Sequence, residues 1–328
     1  MRFLKFIFFG LALCFSACSQ NKKMSNLTSK NYIEIMSNNT KRYTYEPMYY
    51  LTYEQNICYS EILVNDIPVN KNFKEMVDGG TIRINNYIFK SGIQKVTVKL
   101  YAIDDNKDFD FSTFTDETDM KIDIEESDNV KRDLKGKEIT SYVTPIVSFK
   151  NIDGYEKSKF EGSGKTYYEA TFTFNVVVPY DFNSLDKARD LSKWDKEILK
   201  EKVVDFYKKQ WNIINEKRVD DYFSFLELKE KETCQSEYSN KTELQENLEA
   251  YLLPFTNSTF KLEPIENYTV KLYGNGKLVS LELKSLEKIM RGKSVLWGKY
   301  KDEEAVRAKF RKYYLYIPEG ENELKILR

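Results

Sequence analysis

The 328-residue chain contains no histidine. Ser-His-Asp and Cys-His catalysis both need an imidazole as base, and the common catalytic zinc sites draw on imidazole ligands, so those mechanisms are excluded. Carboxylate, lysine and tyrosine chemistry stays open. Cysteine is scarce: the chain has four, at positions 14, 18, 58 and 234. Cys58 and Cys234 alone cannot form an all-cysteine structural zinc site, which needs about four thiolates. A charge excess is missing too, since 51 basic residues stand against 51 acidic ones. A dedicated nucleic-acid binder carries a clear basic excess, so nucleic acid is not an expected partner. The N-terminal apolar run, Phe6–Phe15, has ten residues, half of the roughly 20 that a membrane-spanning helix needs.

That run follows a basic start with Arg2 and Lys5, and it precedes Phe15-Ser16-Ala17-Cys18. It reads as the core of a signal peptide. The four residues resemble the lipobox of bacterial lipoproteins, usually Leu-(Ala/Ser)-(Gly/Ala)-Cys, with Phe15 in the leucine place. Cys14 fits worse, because Leu13 would fill the small-residue position. The resemblance implies cleavage between Ala17 and Cys18 and lipidation of Cys18. Ser19, rather than Asp, implies the outer membrane in a cell with two membranes. Several acyl chains together hold a protein firmly to a membrane. Residues 1–17 are then a signal peptide and 18–29 a polar tether. Removing Arg2 and Lys5 leaves 49 basic against 51 acidic residues, a mature charge of −2.

Residues 30–182 read as an all-β domain. Cys58–Val69 predicts strand, turn, strand with Asn65-Asp66 in the bend. In Gln94–Ala102, Val96, Val98 and Leu100 alternate with Thr97, Lys99 and Tyr101, the period of a strand with one buried face. Asp119–Ile124 and Thr166–Tyr180 repeat the pattern. The Ile82–Ile103 stretch is similar to the middle strands of immunoglobulin-like modules of bacterial surface proteins, which implies a β-sandwich. The Cys…Trp…Cys spacing of true immunoglobulin domains is absent, as no Trp precedes Trp194. Two candidate sites fall here, and a third, Cys58 with Cys234, spans both domains. Asp104, Asn106, Asp108 and Asp110 stand at every second position, as oxygen ligands do in an EF-hand-type calcium loop. Phe109 replaces the required Gly and Thr115 the required Glu, so a solvated acidic loop is the favoured reading, and no metal is expected. Tyr43, Tyr45, Tyr49, Tyr50 and Tyr53 could form an aromatic binding platform; cross-strand stacking is the favoured reading. Cys58 and Cys234 form an even pair that an oxidising compartment would allow to bond; two buried free thiols are favoured.

Residues 183–328 change character. Leu199, Val203, Tyr207, Trp211 and Ile214 follow one helical face, with Ser192 and Asp195 as an N-terminal signal. Val219–Leu228 predicts a second helix, with Val219, Tyr222, Phe223 and Leu226 on one face. A third runs from a Thr242–Gln245 capping box to Pro254. Tyr268–Leu283 predicts a hairpin on a type I′ turn at Asn275-Gly276, and Val306–Leu327 a second one turning at Pro318–Asn322. Arg307, Lys309 and Arg311 alternate into a basic stripe, read as a solvated face. Helices followed by an antiparallel sheet mean α+β. The order resembles the cone-shaped nuclear-transport-factor-two-like family, a fold that implies no single function. Gly162-Ser163-Gly164-Lys165-Thr166 is similar to the end of a phosphate-binding loop, but Lys159 stands where that motif needs its first Gly; a hairpin loop is expected.

The sequence therefore predicts a two-domain envelope lipoprotein, an immunoglobulin-like β-sandwich followed by an α+β domain, lacking catalytic residues and cofactors. It would act as a binding or interaction module, such as an immunity or adaptor protein, held to the membrane through Cys18 and facing an envelope or secreted protein. The alternative is a carboxylate-dependent enzyme or small-ligand binder using the C-terminal cone.

Overall fold

The computed structural model describes residues 27–103, 110–131, 136–285 and 287–328. It opens with helix α1 (Tyr32–Asn39) and continues through β1 (Pro47–Asn56), β2 (Tyr59–Val64), β3 (Ile67–Asn72), β4 (Asp78–Arg83), β5 (Gly92–Tyr101), β6 (Asp119–Asp128), β7 (Lys137–Val143), β8 (Ile146–Lys150), β9 (Glu156–Phe160) and β10 (Tyr167–Val176). Helices α2 (Lys196–Asn215), α3 (Val219–Ser224), α4 (Glu227–Ser236) and α5 (Lys241–Thr256) follow. The chain ends in β11 (Lys261–Leu262), β12 (Tyr268–Tyr273), β13 (Leu278–Leu283), β14 (Trp297–Asp302), β15 (Ala305–Phe310), β16 (Leu315–Tyr316) and β17 (Lys325–Ile326). Among the described residues the fold is mixed, with 17 strands and five helices, and strands dominate. No described helix is long and apolar enough to cross a membrane.

The first ten strands form two four-stranded antiparallel sheets, ordered β4-β1-β6-β7 and β10-β5-β2-β3, plus the separate pair β8-β9. The alternation in β5 does what its period requires: Val96, Val98 and Leu100 are buried. They join Leu51 of β1, Ile62 of β2 and Ile124 of β6 in one apolar cluster fed by both sheets. Asn65 and Asp66 take φ of 52° and 61° between β2 and β3, the two left-handed residues a type I′ turn needs.

A second cluster joins the helices to the later sheets, with Leu199, Val203 and Tyr207 of α2 against Val279 and Leu281 of β13. Helix α1 belongs to it through Tyr32 and Met36, and so does Leu27. Residues 27–39 therefore pack with the helical half, whereas the sequence placed them in the tether and the first domain. A third cluster bridges the halves: Leu63 and Ile67, on the outer side of β2 and β3, meet Tyr273, Leu278, Tyr314 and Leu327.

Several local expectations need correction. The α2 cap is Asp195, accepting from the Glu197 and Ile198 N–H groups at 3.0 Å, while Ser192 lies in a preceding 3-10 turn. The capping box of α5 is Asn240 with Glu243. Pro254 lies inside α5, which runs on to Thr256. The β12–β13 connection is four residues long, with positive φ at Gly274, Asn275 and Gly276. It is drawn out because Asp66 accepts from the Gly274 N–H through its carbonyl (3.1 Å) and from the Asn275 N–H through its carboxylate (2.8 Å). Arg311 leaves the basic stripe and is 8% exposed. Gly162–Thr166 does join β9 to β10, in a turn with Gly164 at φ 81°.

Candidate functional site

Ala17, Cys18, Asp104, Asn106 and Asp108 lie outside the described residues. Asp110 is exposed and accepts from the Ser112 hydroxyl (2.6 Å) and N–H (3.2 Å), which hold its carboxyl below the usual range. Among the described residues no three potential metal ligands converge. The five tyrosines do not share a face. Strand alternation sends Tyr49 and Tyr53 into the core while Tyr50 points the other way. The Tyr49 hydroxyl donates to the Val177 carbonyl (3.2 Å), the Tyr53 hydroxyl to Asp78 (2.8 Å) and the Tyr45 hydroxyl to Glu126. Tyr43 is half-buried and donates to the Pro179 carbonyl (3.2 Å). Cys58 and Cys234 are separate buried free thiols in different clusters, and burial pushes each up to about 12.

Three buried carboxylates, Glu230, Glu282 and Glu232, are paired within the fold. Glu230 of α4 is 1% exposed and accepts from Tyr32 (2.5 Å), Tyr251 (2.5 Å) and Lys229 (2.6 Å). Burial alone would raise its carboxyl, but the Lys229 ammonium and the hydroxyls hold it below the usual range. Across the seam between the halves, Lys71 of β3 donates to Glu282 of β13 and to the Tyr273 hydroxyl, both at 2.7 Å. Gly292 closes over that pair: a Cβ there would stand 3.2 Å from Lys71 Cδ. Lys312 donates to the Pro68 carbonyl (3.2 Å), and its enclosure, with Lys71 and Lys293 nearby, lowers its ammonium to about 8. At the opposite end, Arg328 meets Glu232 (2.7 Å) and the Asn86 carbonyl (2.6 Å) and lies 4.4 Å from the Phe89 ring. Each carboxylate has its cation and hydrogen bonds, so these groups tie elements together.

Two open grooves mark the helical half. One of about 920 Å³ is lined by Arg189, Trp194, Ile198 and Lys277, with the Arg189 guanidinium 4.8 Å from the Trp194 ring. The other, about 670 Å³, is lined by Pro264, Leu283, Met290, Trp297 and Val306. Trp297 is stacked on Phe310 at 5.3 Å, and the Lys299 ammonium lies 5.1 Å from its ring. Lys299 in turn pairs with Glu263 at 2.9 Å.

The unspent surface lies elsewhere. Of fifteen large apolar side chains exposed among the described residues, seven fall between 143 and 177. Val143, Ile146, Val147, Ile152 and Tyr155 are on or beside the β8–β9 hairpin, and Ile152 at its tip is completely exposed. The tip is built stiffly. Asn151 Oδ1 accepts from the N–H groups of Asp153 (3.2 Å) and Tyr155 (2.8 Å), and Gly154 supplies a φ of 84°. The base is pinned by the buried Phe160 ring, 5.6 Å from Phe114 and 5.0 Å from Tyr168. No motif in the sequence pointed to this segment. Its signal was a short apolar run, Ile146-Val147-Ser148-Phe149, whose exposure no period reveals.

Comparison of the chain with protein-family models, curated proteins and solved structures returns no match.

Proposed function

We propose that the chain is an envelope lipoprotein, cleaved after Ala17 and lipidated on Cys18, that works by surface contact with an envelope or secreted protein, in the manner of an immunity or adaptor protein. In this reading the first two sheets are an immunoglobulin-like β-sandwich and the later helices and sheets a cone-like α+β domain. The observation that carries it is a contrast. Glu230, Glu282 and Glu232 are matched by cations of their own fold, while exposed apolar side chains concentrate between residues 143 and 177. Such a division supports contact rather than chemistry. The groove beside Trp297 favours a second reading, a small-ligand site in the helical half.

The test is purification of the full-length protein from gently solubilised membranes, with intact mass measurement and identification of co-purifying proteins. The expected result is a chain that starts at Cys18, carries added lipid mass and brings down a stoichiometric partner. A chain that retains Met1, or one that turns over a cell-wall or glycan substrate in a way a point mutation abolishes, would overturn the proposal.

A further inference from the structure

The β8–β9 hairpin belongs to neither larger sheet. An isolated two-stranded ribbon is marginal in water, and this one leaves an edge open. Among the described residues, the backbone of 146–150 makes its ladder with β9 and no other hydrogen bond. That edge lacks the usual protection: it has no inner proline, no bulge and a single charge, Lys150.

We propose that β8 pairs antiparallel with β8 of a second copy of this chain, about a two-fold axis at Ser148. The inference rests on the reading that the exposed apolar surface serves protein contact, and it names the occupant of one part of it. The strand is complementary to itself. Pairing about Ser148 sets Val147 against Phe149 of the second copy, a β-branched residue beside an aromatic one, which is a favourable cross-strand pair. Ile146 then lies against the aliphatic stem of Lys150, Ser148 meets Ser148, and no like charges are opposed. The pairing is isologous, and it covers exposed Ile146 and Val147 of both copies along the edge.

A lipid surface is the poorer occupant. The open backbone groups of β8 would be left unpaired in hydrocarbon, and Asp153 sits beside Ile152 at the tip. Residues 146–160 hold three lysines against two acids, too small an excess to drive binding to anionic headgroups.

The two-fold axis makes the test direct. In the full-length chain in its native membranes, Ser148→Cys places two thiols opposite each other. Ser158→Cys, on β9 opposite Ser148, places them three strand spacings apart, about 14 Å, beyond disulfide reach. Copper-phenanthroline oxidation followed by non-reducing electrophoresis is expected to convert most of the Ser148→Cys chain to a dimer, at least tenfold more than the Ser158→Cys chain. Adding Phe149→Glu to Ser148→Cys is expected to abolish the cross-link while the circular dichroism spectrum is unchanged. Equal, low cross-linking of both cysteine variants would overturn the proposal. So would flotation of the protein, extracted and stripped of detergent, with phosphatidylethanolamine–phosphatidylglycerol vesicles that Ile152→Asp abolishes and Phe149→Glu leaves intact. The outcome is separable from the proposed function. A cross-linked dimer recovering no other protein supports self-pairing and counts against a heterologous partner. A stoichiometric partner without any cross-link does the reverse.

Discussion

Arg311 shows why a side chain's task can be invisible in its own neighbourhood of the sequence. Alternation with Arg307 and Lys309 predicts a solvated cation. The cause of its burial is Pro254, 57 positions earlier. A proline inside a helix has no N–H for the carbonyl four residues back, which here is Ala250. Arg311 Nη2 donates to that carbonyl at 2.8 Å and to the Tyr251 carbonyl at 3.0 Å, and its guanidinium lies 5.3 Å from the Tyr251 ring. Arg311→Met should therefore cost about 1–3 kcal/mol, the penalty for an orphaned buried acceptor plus the lost contacts. Pro254→Ala should be nearly neutral in the parent chain but should recover about half of that loss in Arg311→Met, because the alanine N–H takes over the carbonyl. Urea denaturation of the four chains gives the cycle. Strict additivity would show that the arginine is not serving the proline gap.

At the scale of elements, legibility followed the range of the forces involved. Helix α2 was readable from Leu199, Val203 and Tyr207, and β5 from Val96, Val98 and Leu100, because period and burial are set within each segment. The Asn65-Asp66 turn was readable for the same reason. Helix α1 was not: its eight residues are too few for a period, and packing by Tyr32 and Met36 against distant helices holds it in place. The β12–β13 loop departs from a two-residue turn because Asp66, far away in sequence, captures its N–H groups. The β8–β9 hairpin is the extreme case, since the packing that sets its direction lies at its base. A Cβ added at Gly162 would stand 2.5 Å from the Phe160 ring, and that ring is 1% exposed, with little room to yield. Gly162→Ala is expected to destabilise by about 1–3 kcal/mol, as overpacking does, and to speed amide exchange selectively in residues 146–160. Phe160→Leu added to it should restore slow exchange. Unchanged exchange in the single variant would mean that the ring does not hold the hairpin.

Across the whole molecule, the halves meet at an apolar cluster with charged groups at its margins, and Tyr238 adds a second contact by packing against Tyr43 and Tyr180 of the first half. Lys71 and Glu282 sit on one side and Arg328 and Glu232 on the other. Such pairs add little net stability when complete but cost several kcal/mol when one member is lost, so they specify how the halves meet. One member of the seam is left in conflict. Glu237, at the end of α4, has a side chain 18% exposed and lies 3.9 Å from the Arg83 guanidinium. Burial pushes its carboxyl up to about 7, and Glu243 adds to the effect; Arg83, the Asn86 N–H and Arg328 pull the other way without prevailing. In a chain without histidine, this carboxyl titrates near neutrality. The sign follows from linkage. The folded state holds the proton more tightly than the unfolded one, so between the ordinary carboxylate value and about 7 the folded chain binds more protons. The stability tied to Glu237 is full below that window and falls as pH rises through it. Glu237→Gln removes the titration. Relative to the parent, the variant should be unchanged near pH 4 and more stable at pH 8 by on the order of 2 kcal/mol, part of the full linkage value given its partial exposure and its exposed partner Arg83. Denaturation midpoints of both chains across that range check it. A difference that stays flat from pH 4 to 8 would mean that Glu237 titrates alike in the folded and unfolded chain and that the seam carries no proton-linked strain.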